Sequence, residues 1–273
     1  MEYINIITHI ILIMSLGWYL ITNLQWYNYK LERVILKHHK WQWHITYFLS
    51  PIVLFYIIPE PYYAAYFFII YMTSFILWNK KLDRAVVLTS RVKRFLAILL
   101  FTTFAMTALC LSSPSCTNMV IFTPLILTYG ISTLLEKIFF ISFKNKGKQR
   151  IKSIAGLRTI AITASYGKTS IKNYLYHVLK NKYKTYKTPR SVNTIAGIVL
   201  DVNRDIPLDT QIYIAEAGAR VKGDIEEIAM FLEPQVCVIG SVGPQHIEYF
   251  KTLDNIIHTK MEILKSPRMT MGF

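Results

Sequence analysis

Hydrophobic positions along this 273-residue chain follow two regimes. Up to Phe143 they form long runs, and beyond it they come as short runs alternating with amphipathic stretches. Ile4 to Leu24 is uncharged, with no basic segment before it and no small-residue cleavage site, so it predicts a retained membrane span. Ile45 to Ile58 and Tyr62 to Trp78 predict a helical hairpin turned at Pro59-Glu60-Pro61. Phe95 to Leu111 and Met119 to Leu135 predict a second, around Ser112 to Ser115. The Ile45 to Ile58 arm is short for a hydrocarbon core of ~30 Å, which fits a tilted, Pro51-bent or re-entrant segment. From Arg158 onward, strands are predicted at Thr159 to Thr163, Tyr183 to Thr188, Gln211 to Ala215 and Gln235 to Ile239. Helices are predicted near Thr169 to Leu179, Thr194 to Val202, Asp224 to Phe231 and Leu253 to Leu264. The expected architecture is an α-helical membrane region followed by α/β with a P-loop-type parallel sheet. Its divisions are about five spans over 1–143, a basic linker over 144–157 and a nucleotide-binding domain over 158–273.

Composition explains the two regimes. The chain is 53% hydrophobic and 14% aromatic, and nearly all of the apolar excess precedes Lys144. The net charge of +15 invites a nucleic-acid reading, but its distribution argues against one. Lys30, Arg33, Lys37 and Lys40 lie in the first inter-span loop. Lys80, Lys81, Arg84, Arg91, Lys93 and Arg94 lie in the third, and Lys144, Lys146, Lys148, Arg150 and Lys152 follow the last span. The second and fourth loops have no basic residue. This alternation satisfies the positive-inside rule, with the N-terminus outside and Lys144 onward in the cytoplasm, and the charge faces anionic lipid without any need for nucleic acid. Trp18, Trp26, Trp41, Trp43 and Trp78 cluster at segment ends as an interfacial belt would. His38, His39 and His44 have no carboxylate or Cys at ligand spacing, so solvated histidines are favoured over a metal site. Cys110 and Cys116 flank a turn and pair only if it faces an oxidising compartment; unpaired apolar cysteines are the favoured reading.

The chemistry concentrates after the first strand of the second regime. Arg158 to Lys172 reads RTIAITASYGKTSIK, a β-branched run, a small-residue turn, then Gly167-Lys168-Thr169 opening a helix. Backbone N–H groups and the positive helix end suit a phosphate there, with Lys168 as a point charge and the Thr169 hydroxyl as a Mg²⁺ ligand. A full Walker pattern wants Gly where Ile162 stands, so the alternative of a polar helix start stays open at this level. Glu216 follows the third strand, and His246 comes a few residues past the fourth. All these groups fall on the carboxyl rim of a parallel sheet, where ligands bind, and together they suit a Mg²⁺-nucleotide site. Each has a plainer reading: Glu216 as a helix-cap acid, His246 as structural, Lys260 as a surface lysine.

Five motifs in order then resemble the central domain of the Mur ligases. TASYGKTS is similar to the family's TGxNGKT, with Ala164 and Tyr166 in place of its Gly and Asn and with Ser165, Gly167, Lys168, Thr169 and Ser170 along the loop. SVNTIAGIV resembles NxNNxIGxP at Asn193 and Gly197. EAGARVKGDI puts Glu216 on the family's Mg²⁺-binding Glu, and GSVGPQHIEYF puts His246 on its Mg²⁺-linked His. TKMEIL puts Lys260 on the lysine that the family carbamylates into a metal ligand, which reverses its reading as a surface residue. The resemblance covers Leu157 to Leu264.

The resemblance implies ATP and Mg²⁺ as cofactors, and UDP-muramoyl-tripeptide and D-Ala-D-Ala as the molecules joined. The expected reaction is an ATP-dependent amide ligation in peptidoglycan precursor synthesis, proceeding through an acyl phosphate. Lys168, His246 and Lys260 are the expected catalytic groups. Membrane lipid and cell-wall synthesis proteins are the expected partners, and a bacterial cytoplasmic membrane the expected location. Membrane spans stand where the family has a uridine-nucleotide domain, and Phe273 stands before the family's amine-delivering domain, so a truncated central domain is expected. Two alternatives remain at this stage: a membrane-bound ligase that polymerises glutamate, and a non-catalytic ATP-binding scaffold or relic.

Overall fold

The computed structural model describes residues 2–36, 38–111, 122–245 and 247–273. They divide into two compact units, Met1–Ile138 and Phe139–Phe273.

The first unit is helical. It comprises α1 (Glu2–Trp26), α2 (Leu31–Leu36), α3 (Gln42–His44), α4 (Ser50–Ile57), α5 (Glu60–Tyr66), α6 (Met72–Lys80), α7 (Ser90–Leu111) and the start of α8 (Phe122–Ser153). Two π-helical stretches, Ile45–Leu49 and Phe67–Tyr71, join α3 to α4 and α5 to α6. Leu12, Leu16 and Tyr19 of α1 pack with Phe67, Tyr71, Phe75, Trp78, Phe95 and Leu99 to form its core. Among the described residues, four helical segments are long and apolar enough to cross a membrane: Ile6–Trp26, Pro61–Lys80, Ser90–Leu111 and Thr123–Ser153. The short Ile45 to Ile58 arm is helical but falls below that length. His39 is exposed, but His38 is buried and His44 half-buried, so those two are not solvated. His38 Nδ1 accepts from the Lys40 N–H at 3.0 Å, and its Nε2 meets Asn23 Oδ1 at 2.8 Å. His44 bonds to the Tyr19 hydroxyl at 2.8 Å and the Val34 carbonyl at 2.9 Å. Cys110 is disulfide-bonded, against the favoured reading of an unpaired side chain, while Cys116 lies outside the described residues.

The second unit begins with the end of α8. Residues 144–153, whose charge reads as a linker, continue that helix because Phe143 and Ile151 present apolar side chains at helical spacing to a core. Their basic neighbours are used locally. Lys144 pairs with Glu227 at 2.7 Å, Lys148 with Glu233 at 3.1 Å, and Arg150 donates to the Ile206 carbonyl at 2.8 Å.

The α/β part then runs β1 (Arg158–Thr163), α9 (Lys168–Leu179), β2 (Thr185–Lys187), α10 (Ile195–Arg204), β3 (Ile212–Glu216), α11 (Asp224–Leu232), β4 (Val236–Ile239), α12 (Ile247–Phe250), α13 (Leu253–Met261) and β5 (Met271–Gly272). All four predicted strands and all four predicted helices are present. The sheet is parallel in the order β2-β3-β1-β4-β5. Strand alternation sorts side chains onto two faces. Ala161, Tyr213, Ala215 and Cys237 join Ile198, Val202 and Ile228 from α10 and α11. Ile160, Ile162, Ile212 and Ile214 meet Ile171, Leu175 and Leu179 of α9. On the first face Asp201 is buried and accepts hydroxyl hydrogen bonds from Tyr186 at 2.7 Å and Tyr213 at 2.6 Å. Because β1 lies between β3 and β4, the chain leaves it toward one side and later returns on the other. That switch point opens a crevice at the carboxyl end of β1.

Candidate functional site

The crevice is built by the turn from β1 into α9. Ile162, the residue that breaks the full Walker spacing, lies inside β1 and is buried in register with Glu216. The turn therefore begins only at Ala164. Gly167 closes it at φ +79°, a left-handed conformation that glycine adopts without steric cost, and Lys168 starts the helix. Ser165 fixes the turn to the segment after β4. Its amide donates to the Ser241 carbonyl at 2.7 Å, while its hydroxyl donates to the Gly243 carbonyl at 2.8 Å and accepts from the Gly243 amide at 2.9 Å. Lys168 Nζ curls back onto the Ala164 carbonyl at 2.6 Å and the Ser165 carbonyl at 3.4 Å. Burial pushes its pKa down, opposed by the negative charge of Glu216. Thr169 is half-buried in the first turn, with Ser170 and Tyr166 exposed beside it. First-turn amides of a helix have no intrahelical acceptor, so this end of α9 suits an anion.

Glu216 ends β3 and is buried to 1% exposure. Lys172 Nζ lies 2.6 Å from its Oε1, but the contact is a charge pair without hydrogen-bond alignment: neither carboxylate oxygen accepts a hydrogen bond among the described residues. Two buried oxygens left in that state fit a cation, which needs lone pairs and no proton. Beside them Gly218 brings two backbones together. Its amide donates to the Asn193 carbonyl at 2.8 Å, and a Cβ there would stand 2.8 Å from Asn193 Cγ. This is the close approach that Gly218 permits next to Glu216.

Lys260, on α13, is buried rather than a surface lysine. Burial first, and then the Lys168 ammonium, push its pKa down to about 8. Two residues on, buried Glu262 accepts from the amides of Gly223 at 2.8 Å and Glu226 at 3.2 Å, so it caps the N-terminus of α11 and anchors the segment that carries Lys260. His246 lies outside the described residues. Among the described residues no three His, Cys, Asp or Glu side chains form a ready-made metal cage. Lys172 is the site residue that sequence reasoning missed. It had a signal: residues 172, 175 and 179 share one helix face, and a lysine in line with Leu175 and Leu179 is a charge on an apolar stripe.

A parallel sheet with a glycine-closed turn, a helix end with free first-turn amides and a buried carboxylate at its switch point has the geometry of an α/β domain suited to a phosphate. Residues 162–270 match the family described as the Mur ligase middle domain. Within the family, the similar curated proteins are UDP-N-acetylmuramoyl-tripeptide--D-alanyl-D-alanine ligases, known as MurF. The Borreliella burgdorferi protein is 34% identical over 107 residues, 39% of this chain and 23% of its own length. The Bacillus subtilis protein is 32% identical over 109 residues, 40% of this chain and 24% of its own. The chain thus spans about a quarter of the length of the curated relatives it matches. Among solved structures, MurF from Thermotoga maritima in complex with ADP overlays with a TM-score of 0.44 at 34% identity, covering 46% of this chain and 29% of that one.

Proposed function

We propose that this chain provides the ATP-binding domain of a MurF-type ligase, joined to a multi-pass anchor in the bacterial cytoplasmic membrane. The reaction is amide formation. The terminal carboxylate of a UDP-muramoyl-tripeptide takes the γ-phosphoryl group of ATP, giving an acyl phosphate and ADP. The amine of D-Ala-D-Ala then attacks the acyl carbon, and inorganic phosphate leaves as the C–N bond forms and the amine loses a proton. One observation carries this reading: a phosphate-suited turn, a buried carboxylate with bare oxygens and a buried lysine stand together at the switch point of a segment matching the Mur ligase middle domain.

The residues divide the work. Lys168 exchanges the Ala164 and Ser165 carbonyls for phosphate oxygens, and the α9 amides orient those oxygens. Asn193, held on Gly218, borders the same crevice. Glu216, Thr169, His246 and a carbamylated Lys260 would hold Mg²⁺, which supplies charge neutralisation during phosphoryl transfer. An ammonium cannot ligate a cation, so Lys260 serves this purpose only once carbamylated.

The anchor rests on three observations. Among the described residues, four helical segments have the length and apolarity to span. Large apolar side chains stand exposed on them, Ile69 at 71% and Phe101 at 74%, as a lipid-facing surface requires. Cys110 is disulfide-bonded at the end that the charge alternation assigns to the oxidising side. With the shorter Ile45 to Ile58 arm as a fifth, tilted crossing, the N-terminus is outside and the ATP-binding unit cytoplasmic.

The test is Mg·ATP binding by the detergent-solubilised chain and by its Lys168→Met variant, followed by ligation assays in the presence of the tripeptide nucleotide and D-Ala-D-Ala. Nucleotide binding lost on substitution, and a product requiring D-Ala-D-Ala, are the expected results. Binding that survives Lys168→Met, or ligation of glutamate instead, overturns the reading.

A further inference from the structure

Lys172 is buried to 1% exposure and makes no contact with solvent that would explain its charge. Its ammonium lies 2.6 Å from Glu216 Oε1 and 2.8 Å from the Thr188 carbonyl, and donates also to the Arg190 carbonyl. Those carbonyls belong to the segment leaving β2, which continues to Asn193 and its bond to Gly218. One side chain, a single turn beyond Lys168 on α9, therefore ties the phosphate helix to the exits of β2 and β3. It also stands where a cation seeking Glu216 must compete: a carboxylate whose charge is already met by a buried ammonium attracts a second cation poorly.

We propose that Lys172 is a resident cation that guards Glu216, so that a divalent ion is accepted there only when nucleotide phosphates bring compensating negative charge. The inference rests on the Mg·ATP reading above. Lys172 is a positioning residue in this role and touches no reacting atom. Its two carbonyl bonds let the ammonium stay anchored while it releases the carboxylate, so metal entry need not unfold the site. The consequence is ordered coupling: the metal arrives with the nucleotide, and the empty site does not fill with free cation.

The experiment measures Mn²⁺ binding to the full chain in detergent by electron paramagnetic resonance, with and without a non-hydrolysable ATP analogue. Wild type is expected to bind Mn²⁺ at least tenfold more weakly without nucleotide than with it. Lys172→Gln keeps a donor for the carbonyls but removes the charge. It is expected to bind Mn²⁺ alone at least tenfold more tightly than wild type, whereas Lys172→Arg keeps the wild-type behaviour. A merely structural lysine would give the opposite result for Lys172→Gln, since a damaged site loses metal. Unchanged or weaker binding of Mn²⁺ alone by Lys172→Gln overturns the inference and leaves the nucleotide reading standing. Should that variant fail to fold, the wild-type ratio decides, and equal affinity with and without nucleotide overturns the inference. If wild type takes up no Mn²⁺-nucleotide at all, the nucleotide reading fails and the inference with it.

Discussion

The buried Lys172–Glu216 pair makes an asymmetric prediction about stability. Removing one member of a buried ion pair costs about 3–5 kcal/mol, because the other charge stays behind uncompensated. The two members are not equally supported. Lys172 without its carboxylate still donates to the Thr188 and Arg190 carbonyls, so Glu216→Gln belongs at the lower end, about 3 kcal/mol. Glu216 without Lys172 keeps no hydrogen bond to either oxygen among the described residues, so Lys172→Met belongs at the upper end, about 5 kcal/mol. Replacing both, as Glu216→Leu with Lys172→Met, removes the charges together and should recover most of the loss. All five tryptophans precede residue 79, so their fluorescence does not report on this unit. Hydrogen–deuterium exchange resolved to α9 and β3 does, because protection there follows the opening of that unit. At about 1.4 kcal/mol per factor of ten, protection should fall roughly 10²-fold for Glu216→Gln and more than 10³-fold for Lys172→Met. Equal losses in the two variants, a larger loss for Glu216→Gln, or no recovery in the double variant would refute this account of the pair.

Three further outcomes follow from the same geometry. Gly218→Ala puts a Cβ 2.8 Å from Asn193 Cγ and 2.9 Å from its Oδ1, so it should cost about 1–3 kcal/mol and raise amide exchange at Asn193 to Gly197, with nucleotide affinity falling alongside. Burial raises the Asp201 carboxyl pKa despite two tyrosine hydrogen bonds, so the folded state holds its proton more tightly than the unfolded one. Stability should then decline as pH rises from the ordinary aspartate range through the raised value, and Asp201→Asn should flatten that slope in thermal unfolding scans. Lys260, at about 8, is roughly one-tenth neutral at pH 7 and about three-quarters neutral at pH 8.5. At fixed total ¹³C-bicarbonate a carbamate NMR signal should grow across that interval and be absent in Lys260→Arg; a signal that survives the substitution assigns the carbamate to another amine.

What was legible in the chain, and what was not, divides along a physical line. Strands β1 to β4 of the second unit were readable because each is a short β-branched or apolar run between turn residues, a pattern confined to a few neighbours. The site residues carried by motifs were readable for the same reason: Gly167, Lys168 and Thr169 are adjacent, and Gly218 stands two residues from Glu216. The features missed are set by partners far along the chain. Residues 144–153 read as a linker because the counter-charges of Lys144 and Lys148, Glu227 and Glu233, come more than eighty residues later. β5 has two residues and no periodicity, and it exists through backbone bonds such as those of Thr270 and Met271 to the Gln235 carbonyl. His38 and His44 looked solvated because Asn23 and Tyr19, which bind them, sit inside an apolar run where polar groups are easily passed over. Lys172 lies between these cases. Its partners are remote, yet its position among leucines is local, and a charge there must be paired for the helix to pack at all. A lone charge on an apolar helix face therefore predicts a buried counter-charge on the strand beneath, and in a parallel sheet the carboxyl end of that strand is where such a counter-charge also meets a ligand.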